Sequence, residues 1–388
     1  MSLIVRVAAR GDGVAQDGRH VPFAAPGDTL TDMGEVVPGP HHQRPPCRHF
    51  PECGGCQLQH LDDESYARFV ADRIASALDA QDLSAPIRPR LVSPPNTRRR
   101  ATLHADRGLI GFAAEKSHVI VDMRECHILA PELFALVAPL RALLGRLGLK
   151  RRADIHLTLT DQGPEVLLAG FAPEGLAAHE AITAFAQAHG IARFAVDGGL
   201  GPETRWEPEP VTVTLGDVPV PFPPHGFLQA TRQGEAALVA AAREATEGAR
   251  TVADLFAGLG TFALALSAKV YAAEGARDAA LALKSAANAR QRPVFVEHRD
   301  LYRRPLTAAE LDRFDAVVLD PPRAGARDQA AALAACRVRS IAYVSCNPSS
   351  FARDAKTLSE GGWRIEWVQP VGQFRWSTHV ELAARFTR

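Results

Sequence analysis

"VADLFAGLGTFALAL", residues 252–266, is the stretch on which the reading of the fold turns. Val252 to Leu255 read as a buried strand, Gly258 and Gly260 as a tight turn, and the apolar run beyond them as the start of a helix. Glycines at such a turn let the backbone come close to a ligand at the helix N-terminus. The same texture continues outward. "GEAALVAAAREA" before the stretch has a helical period, and "RDAALALKSAANAR", "FDAVVLD", "QAAALAAC" and "SIAYVSC" after it are helix and buried strand in turn. Alternation of that kind predicts an α/β domain over residues 223–388, with a parallel sheet covered by helices on both faces.

Ligands of open α/β sheets bind beyond the carboxyl ends of the strands. Three chemically useful side chains fall at those ends. Glu274 closes "KVYAAE", where a carboxylate could hold the two hydroxyls of a ribose; Asp320 closes "FDAVVLD" before two prolines that fix the next turn; Cys346 closes "SIAYVSC" before Asn347 and Pro348. The glycine spacing leaves the cofactor open, because Gly258-x-Gly260-x-x-Ala263 also satisfies the looser dinucleotide fingerprint. Either a nicotinamide dinucleotide or S-adenosyl-L-methionine accepts an acid at Glu274. Asp254, just ahead of the turn, favours the methyl donor, since a carboxylate suits an ammonium and a sulfonium better than a pyrophosphate.

A chain of 388 residues, 46% hydrophobic, can bury more than one core, so two or three domains are expected. Residues 1–40 hold short alternating segments, "LIVRVAA" and "HVPFAA", between the turn signals "GDG", "QDG" and "PGD", which predicts a small β-rich unit. Residues 41–222 open with a Pro, His and Cys-rich entry, then show a helix near 62–80 and mixed strands and helices, including the alternating "DIHLTLT". The longest apolar runs, such as "ALVAPLRALLGRLGL", are interrupted by charge and are too short to span a bilayer. With no secretory h-region at the start, the sequence predicts a cytoplasmic protein with no membrane association. Its cysteines are then ligands or nucleophiles rather than disulfides.

Formal net charge is zero, which excludes a chain that is basic all over. The charge is unevenly spread, however. "PIRPRLVSPPNTRRRATLHADR", residues 86–107, sets Arg88, Arg90, Arg98, Arg99, Arg100 and Arg107 against Asp106 alone, as in a basic loop that tracks phosphates or as in a solvated one. Just before it, "PPCRHFPECGGCQLQHL" places Cys47, Cys53 and Cys56 as C-x5-C-x2-C. Three close cysteines in a reducing compartment share one metal centre, because a thiolate is stabilised when a cation sits beside it. Cys126, in "MRECHIL", is the candidate fourth ligand of either a tetrahedral zinc site or a [4Fe-4S] cluster, and one trio plus a distant cysteine suits the cluster better. A radical-generating cluster would want C-x3-C-x2-C and an open iron, so the role read here is structural. Cys336 lies in a helical pattern and reads as core, as do Trp206, Trp363, Trp367 and Trp376.

"DLFAGLGTF", "DPPRAG", "SCNP" and "STHVELAARF", in that order, together with "CGGCQLQHL", resemble the RNA (uracil-5-)-methyltransferase family, and most of all its iron-sulfur ribosomal RNA members. The resemblance implies a C-terminal Rossmann-like class I methyltransferase domain over 223–388, a central α/β RNA-binding domain bearing a [4Fe-4S] cluster over 41–222, and a shortened TRAM-like, OB-like segment over 1–40. It implies methylation of carbon 5 of a specific uridine in RNA, ribosomal RNA first, with S-adenosyl-L-methionine as donor. Cys346 would be the nucleophile that adds to carbon 6, and Glu381 in "HVELA" the base that removes the carbon 5 proton. Donor contacts carry over to Gln229 in "FLQAT", Phe256, Gly258, Gly260, Thr261, Glu274, Asp300 near the adenine, and Asp320 between donor and target base. Cluster ligands carry over to Cys47, Cys53, Cys56 and Cys126, and RNA contacts to Arg98, Arg99 and Arg100. Thr231, Arg375 and Ser377 depart from the family, standing where Asn, Pro and Thr are usual. A monomer needing no protein partner is expected. The alternatives are a transfer RNA uridine as substrate, a noncatalytic iron-sulfur RNA-binding protein, and a nicotinamide-dependent oxidoreductase.

Overall fold

The computed structural model describes residues 1–388, and its contacts divide them into two units. One contains Met1–Phe69, Ser93–Val211 and Phe374–Thr378; the other contains Val70–Val92, Thr212–Gln373 and His379–Arg388. The division therefore cuts across the contiguous boundaries expected at 40 and 222.

The first unit opens with five short strands: β1 (Ser2–Val7), β2 (Gly13–Ala15), β3 (His20–Val21), β4 (Thr29–Leu30) and β5 (Val36–Val37), ordered β3-β2-β1-β4-β5 and antiparallel throughout. Ile4, Ala15, Val21, Ala24 and Leu30 form its own small core. The helix expected near 62–80 is α1 (Asp63–Asp79), whose first turn is capped by Asp62 Oδ1 accepting the Ser65 amide at 2.8 Å. In the other unit β6 (Leu91–Val92) follows; back in the first, β7 (Arg100–Asp106), β8 (Leu109–Gly111), α2 (Pro131–Phe134), α3 (Val137–Arg146), β9 (Ala153–Leu159), β10 (Pro164–Ala169), α4 (Leu176–Ala188), β11 (Arg193–Asp197) and β12 (Glu203–Trp206) build a six-stranded sheet ordered β12-β11-β10-β9-β7-β8. Leu103, Ile155, Leu157, Val166, Leu168 and Phe194 share a core with Leu133, Leu140, Leu144, Ile182 and Phe185 of the three helices. The basic stretch is thus no loop at residues 98–100: Arg98 bridges Leu129 in parallel, the Arg99 carbonyl accepts the Leu159 amide at 2.8 Å, and Arg100 begins β7, whereas Arg88, Arg90 and Arg107 lie outside regular elements.

The second unit holds the α/β sheet expected over residues 223–388. After the hairpin β13 (Thr212–Leu215) and β14 (Val218–Pro221) come α5 (Arg232–Ala245), β15 (Thr251–Leu255), β16 (Lys269–Glu274), α6 (Arg277–Ala289), β17 (Val294–His298), α7 (Ala308–Leu311), β18 (Ala316–Leu319), α8 (Arg327–Ala335), β19 (Ser340–Ser345), α9 (Pro348–Glu360), β20 (Arg364–Gly372) and β21 (Glu381–Thr387). Eight strands line up as β17-β16-β15-β18-β19-β21-β20-β6. Five strands, β15 to β19, are parallel neighbours; the apolar runs of β15, β18 and β19 are buried on both faces, while β17 is an exposed edge. The expectation of an all-parallel sheet fails at β21, which slots antiparallel between β19 and β20. Residues 70–92 join this unit because β6 adds in parallel to β20 and Ile87 bridges Val368. The strand order reverses between β15 and β18, and their carboxyl ends flank the crevice where such sheets take ligands.

The helix expected after the glycine turn is absent as a regular element; residues 258–265 form consecutive turns instead. Asp254 Oδ2 accepts the Ala263 amide at 2.8 Å, withdrawing a donor from the helical ladder. Gly260 has φ +95°, a left-handed conformation that side chains disfavour, and a Cβ there would lie 2.3 Å from Leu283 Cδ1. Gly260→Ala is therefore expected to destabilise the chain by about 2 kcal/mol, read as a lower urea midpoint; an unchanged midpoint would show that the turn tolerates a side chain.

Candidate active site

Cys346 leaves β19 at its carboxyl end, one residue before Asn347, the N-cap of α9, whose side chain accepts the Ser349 amide at 3.1 Å. Pro348 suits the first helical position because its missing N–H has no intrahelical partner to lose. "SCNP" thus holds the sulfur between a strand end and a helix start. The antiparallel register pairs Ser345 with Leu382, which brings Glu381, the first residue of β21, to the level of Cys346. Asp320 follows β18, the parallel neighbour on the other side of the Cys346 strand.

The electrostatics of this corner all favour neutral groups. Burial pushes the Cys346 thiol up to about 11, with Glu381 and Asp320 adding to the rise and Arg323 opposing it. Burial, then Asp320, raises Glu381 to about 8, while the Gln373 hydrogen bond pulls it down. Asp320 is raised to about 7 by burial and by Glu274. Glu381 is only 3% exposed, yet it is not orphaned: the Gln373 amide nitrogen donates to Glu381 Oε2 at 2.9 Å. Gln373 also donates to Gln229 Oε1 at 2.9 Å, and Gln229 Nε2 lies 3.5 Å from Asp320 Oδ2. The structure so brings together Cys346, Glu381, Asp320 and Gln229, and adds Gln373, which the sequence reading passed over. The signal for it was at hand in "GQFRWSTHVE", where a polar side chain directly follows the apolar end of β20.

On the ligand side of the glycine turn, Glu274 Oε2 accepts the Gly258 amide at 2.7 Å and Oε1 accepts the Ala276 amide at 2.6 Å, fixing the carboxylate at the end of β16. Gly258 and Phe256 both have positive φ, 54° and 63°, and Phe256 packs on Tyr302 with ring centroids 5.4 Å apart. Asp300 Oδ1 accepts the Tyr302 amide at 3.0 Å. Thr261 lies half-buried in the following turns. Asp254 is fully buried, and its Oδ1 has no hydrogen-bond partner; burial raises its carboxyl to about 8. A buried, unmatched carboxylate oxygen beside a ligand crevice fits a cationic group such as an amino acid ammonium. Thr231, where the family has Asn, is the N-cap of α5 and accepts the Gly234 amide at 2.9 Å, a task either residue type performs.

Cys47, Cys53, Cys56 and Cys126 line one cavity in the first unit, none in a disulfide. Burial pushes all four thiols up, Cys56 to about 12. No three His, Cys, Asp or Glu side chains close on a single-ion position. Trp376 packs with Cys56 and Ile128, and its carbonyl accepts the Gln57 and Leu58 amides at 2.8 and 2.9 Å. Arg98 lines the same cavity, and Arg99 is 3% exposed, so neither forms part of an exposed basic row. Arg100 stays partly exposed; burial and repulsion from Arg98 and Arg99 lower it to about 10. Cys336 is core, as expected, and Trp206 and Trp363 spend their indole N–H groups on the Ile191 and Leu333 carbonyls.

Residues 222–388 match the family described as tRNA (uracil-5-)-methyltransferase. An uncharacterized RNA methyltransferase of Zymomonas mobilis is 52% identical over 396 residues, covering 100% of both chains. The 23S rRNA (uracil(1939)-C(5))-methyltransferase RlmD of Chromohalobacter salexigens is 33% identical over 425 residues, covering 99% of this chain and 88% of the relative. Among solved structures, the tRNA (uracil-54, C5)-methyltransferase of Pyrococcus abyssi, in complex with S-adenosyl-L-homocysteine, superposes with a TM-score of 0.80 at 23% identity, over 100% of this chain and 99% of that one. The fold is accordingly the α/β methyltransferase fold. No helix is long and apolar enough to cross a membrane.

Proposed function

The chain belongs to the RNA (uracil-5-)-methyltransferase family, and from that premise we propose that it methylates carbon 5 of a uridine in ribosomal RNA through a covalent adduct with Cys346. The observation that carries the reading is the register of β19 and β21, which sets a thiol and a buried carboxyl side by side at the ligand-binding edge of the sheet. Carbon 5 of uracil is a weak nucleophile. Cys346, partly exposed, gives its proton up to water and adds to carbon 6 as thiolate, which moves the ring electrons onto carbon 5 and the carbonyl at carbon 4, and carbon 5 then takes the methyl group. Glu381, as carboxylate, removes the carbon 5 proton; the electrons left behind rebuild the double bond and expel Cys346 as thiolate.

S-adenosyl-L-methionine, when bound, supplies a methyl group made electrophilic by its sulfonium. The residues present fit it: Asp254 Oδ1 awaits a cation, Glu274 stands at the strand end that suits a ribose, and Gly258 leaves room for close backbone approach. We assign Gln229, Phe256, Gly260, Thr261, Asp300 and Asp320 to the same pocket. A [4Fe-4S] cluster fits the cavity of Cys47, Cys53, Cys56 and Cys126, and when bound it ties the 47–56 segment to Cys126. Four thiols line one space, and a close trio with one distant cysteine suits this larger group better than zinc. The strands of residues 1–37 are assigned as a TRAM-like RNA-binding module. Of the three arginines, Arg100 is the one assigned to RNA phosphate, because an anion beside it offsets the burial and the Arg98 and Arg99 repulsion that lower it.

Ribosomal RNA is favoured by the relative RlmD, whose name places its activity on 23S rRNA. The test is transfer from labelled S-adenosyl-L-methionine into RNA from cells lacking the protein. Label recovered as 5-methyluridine at one ribosomal position is expected. Label in transfer RNA alone would move the substrate, and no label with donor binding intact would overturn the catalytic reading.

A further inference from the structure

Resting on that reading, we propose that Gln373 is a positioning residue that fixes which oxygen of Glu381 receives the substrate proton. The amide cannot turn over. Its Oε1 accepts the Ala230 backbone N–H at 3.1 Å, which directs the amino group the other way, toward Glu381 Oε2 and Gln229 Oε1, both at 2.9 Å. An amide nitrogen carries two hydrogens. Both are used, and neither can be exchanged for an acceptor.

Glu381 Oε2 therefore holds a donor in every state of the cycle, and an oxygen that accepts from a fixed N–H is a poor place for a further proton. Oε1 is left to take the proton from carbon 5. Gln373 is itself 2% exposed, so water does not compete for these contacts. The same amide pair serves the second acid, since Gln229 Nε2 points to Asp320 Oδ2 at 3.5 Å. Two buried carboxyls at one site repel when both ionise. One amide directed at each keeps either able to ionise without swinging toward the other.

Donation to a carboxylate favours the charged form, so Gln373 makes Glu381 a base at a lower pH than burial alone would allow. Removing the donor shifts the rising limb of adduct release to higher pH; replacing it with an acid shifts the limb further. Gln373→Met, close in length and without polar hydrogens, and Gln373→Glu, which still accepts from Ala230, give the test. Each full-length variant is mixed with labelled S-adenosyl-L-methionine and ribosomal RNA from cells lacking the protein, and first-turnover methylation and adduct release are followed across pH. Methylation in the first turnover is expected in both, with release at neutral pH slowed about tenfold or more and the limb rising in the order wild type, Gln373→Met, Gln373→Glu. A limb that stays in place, or first-turnover methylation lost in both variants, overturns the assignment. The wild type on RNA containing 5-fluorouridine is the control: carbon 5 then bears a fluorine that cannot leave as a cation, so absence of a trapped adduct would sink the Cys346 reading instead.

Discussion

Glu381→Gln is expected to stop the reaction with RNA already methylated and still bound to the protein. The glutamine keeps size and hydrogen bonding but cannot take a proton, so Cys346 still adds and methyl still transfers, and elimination fails. Loss of a general base slows turnover by roughly 10²–10⁴-fold. A denaturing gel should show protein shifted by attached RNA, with methyl label in the shifted band. Cys346→Ala is expected to give neither shift nor label, a loss of at least about 10⁴-fold. The pair separates the two roles: alanine that still methylates, or glutamine that turns over normally without adduct, would mean they are misassigned.

The second large effect is expected at the cysteine cavity. Protein isolated without oxygen should be brown and carry about four irons per chain, and Cys53→Ser or Cys126→Ser should lose both colour and iron. Cys53 is held by its amide donating to the His49 carbonyl at 2.8 Å, and Gly54 by the Ala113 carbonyl at 3.0 Å. Residues 44–60 have no strand or helix; turn and cross-chain bonds such as these and those of Gln57 and Leu58 to the Trp376 carbonyl hold them, and a cluster would add the four sulfurs as an anchor. Amide exchange in that segment should accelerate sharply in both variants. Stoichiometric zinc without iron would contradict the cluster, and an unchanged exchange rate would contradict its anchoring role.

The chemistry at the strand ends was legible because it is local. An apolar run that ends in Cys346 and Asn-Pro, or in Asp320 and Pro-Pro, announces both a strand and where it stops. Pairing order is not local. Nothing within "ELAARFT" says that β21 inserts between β19 and β20, and that insertion alone sets Glu381 beside Cys346. The helix after Gly260 was misread because apolar periodicity cannot register Asp254 taking the Ala263 amide from nine residues away. "TRRRA" was misread by composition: the arginines suggested a loop, whereas their backbone pairs with Leu129 and Leu159. Gln373 escaped because an amide has no distinctive pattern until its partners, Gln229 and Glu381, are seen together.

The acids that crowd Cys346 also bear on how long the enzyme lasts. Peroxide and alkylating metabolites attack thiolates, and a sulfur that keeps its proton reacts slowly with both. Between encounters with RNA, Cys346 is such a sulfur, pushed up to about 11 by burial and by Glu381 and Asp320. Many nucleophilic cysteines are ionised at rest and depend on repair or scavenging to survive oxidative stress. This one is kept protonated by its burial and by the acids beside it, so the resting protein is expected to lose Cys346 to peroxide only slowly.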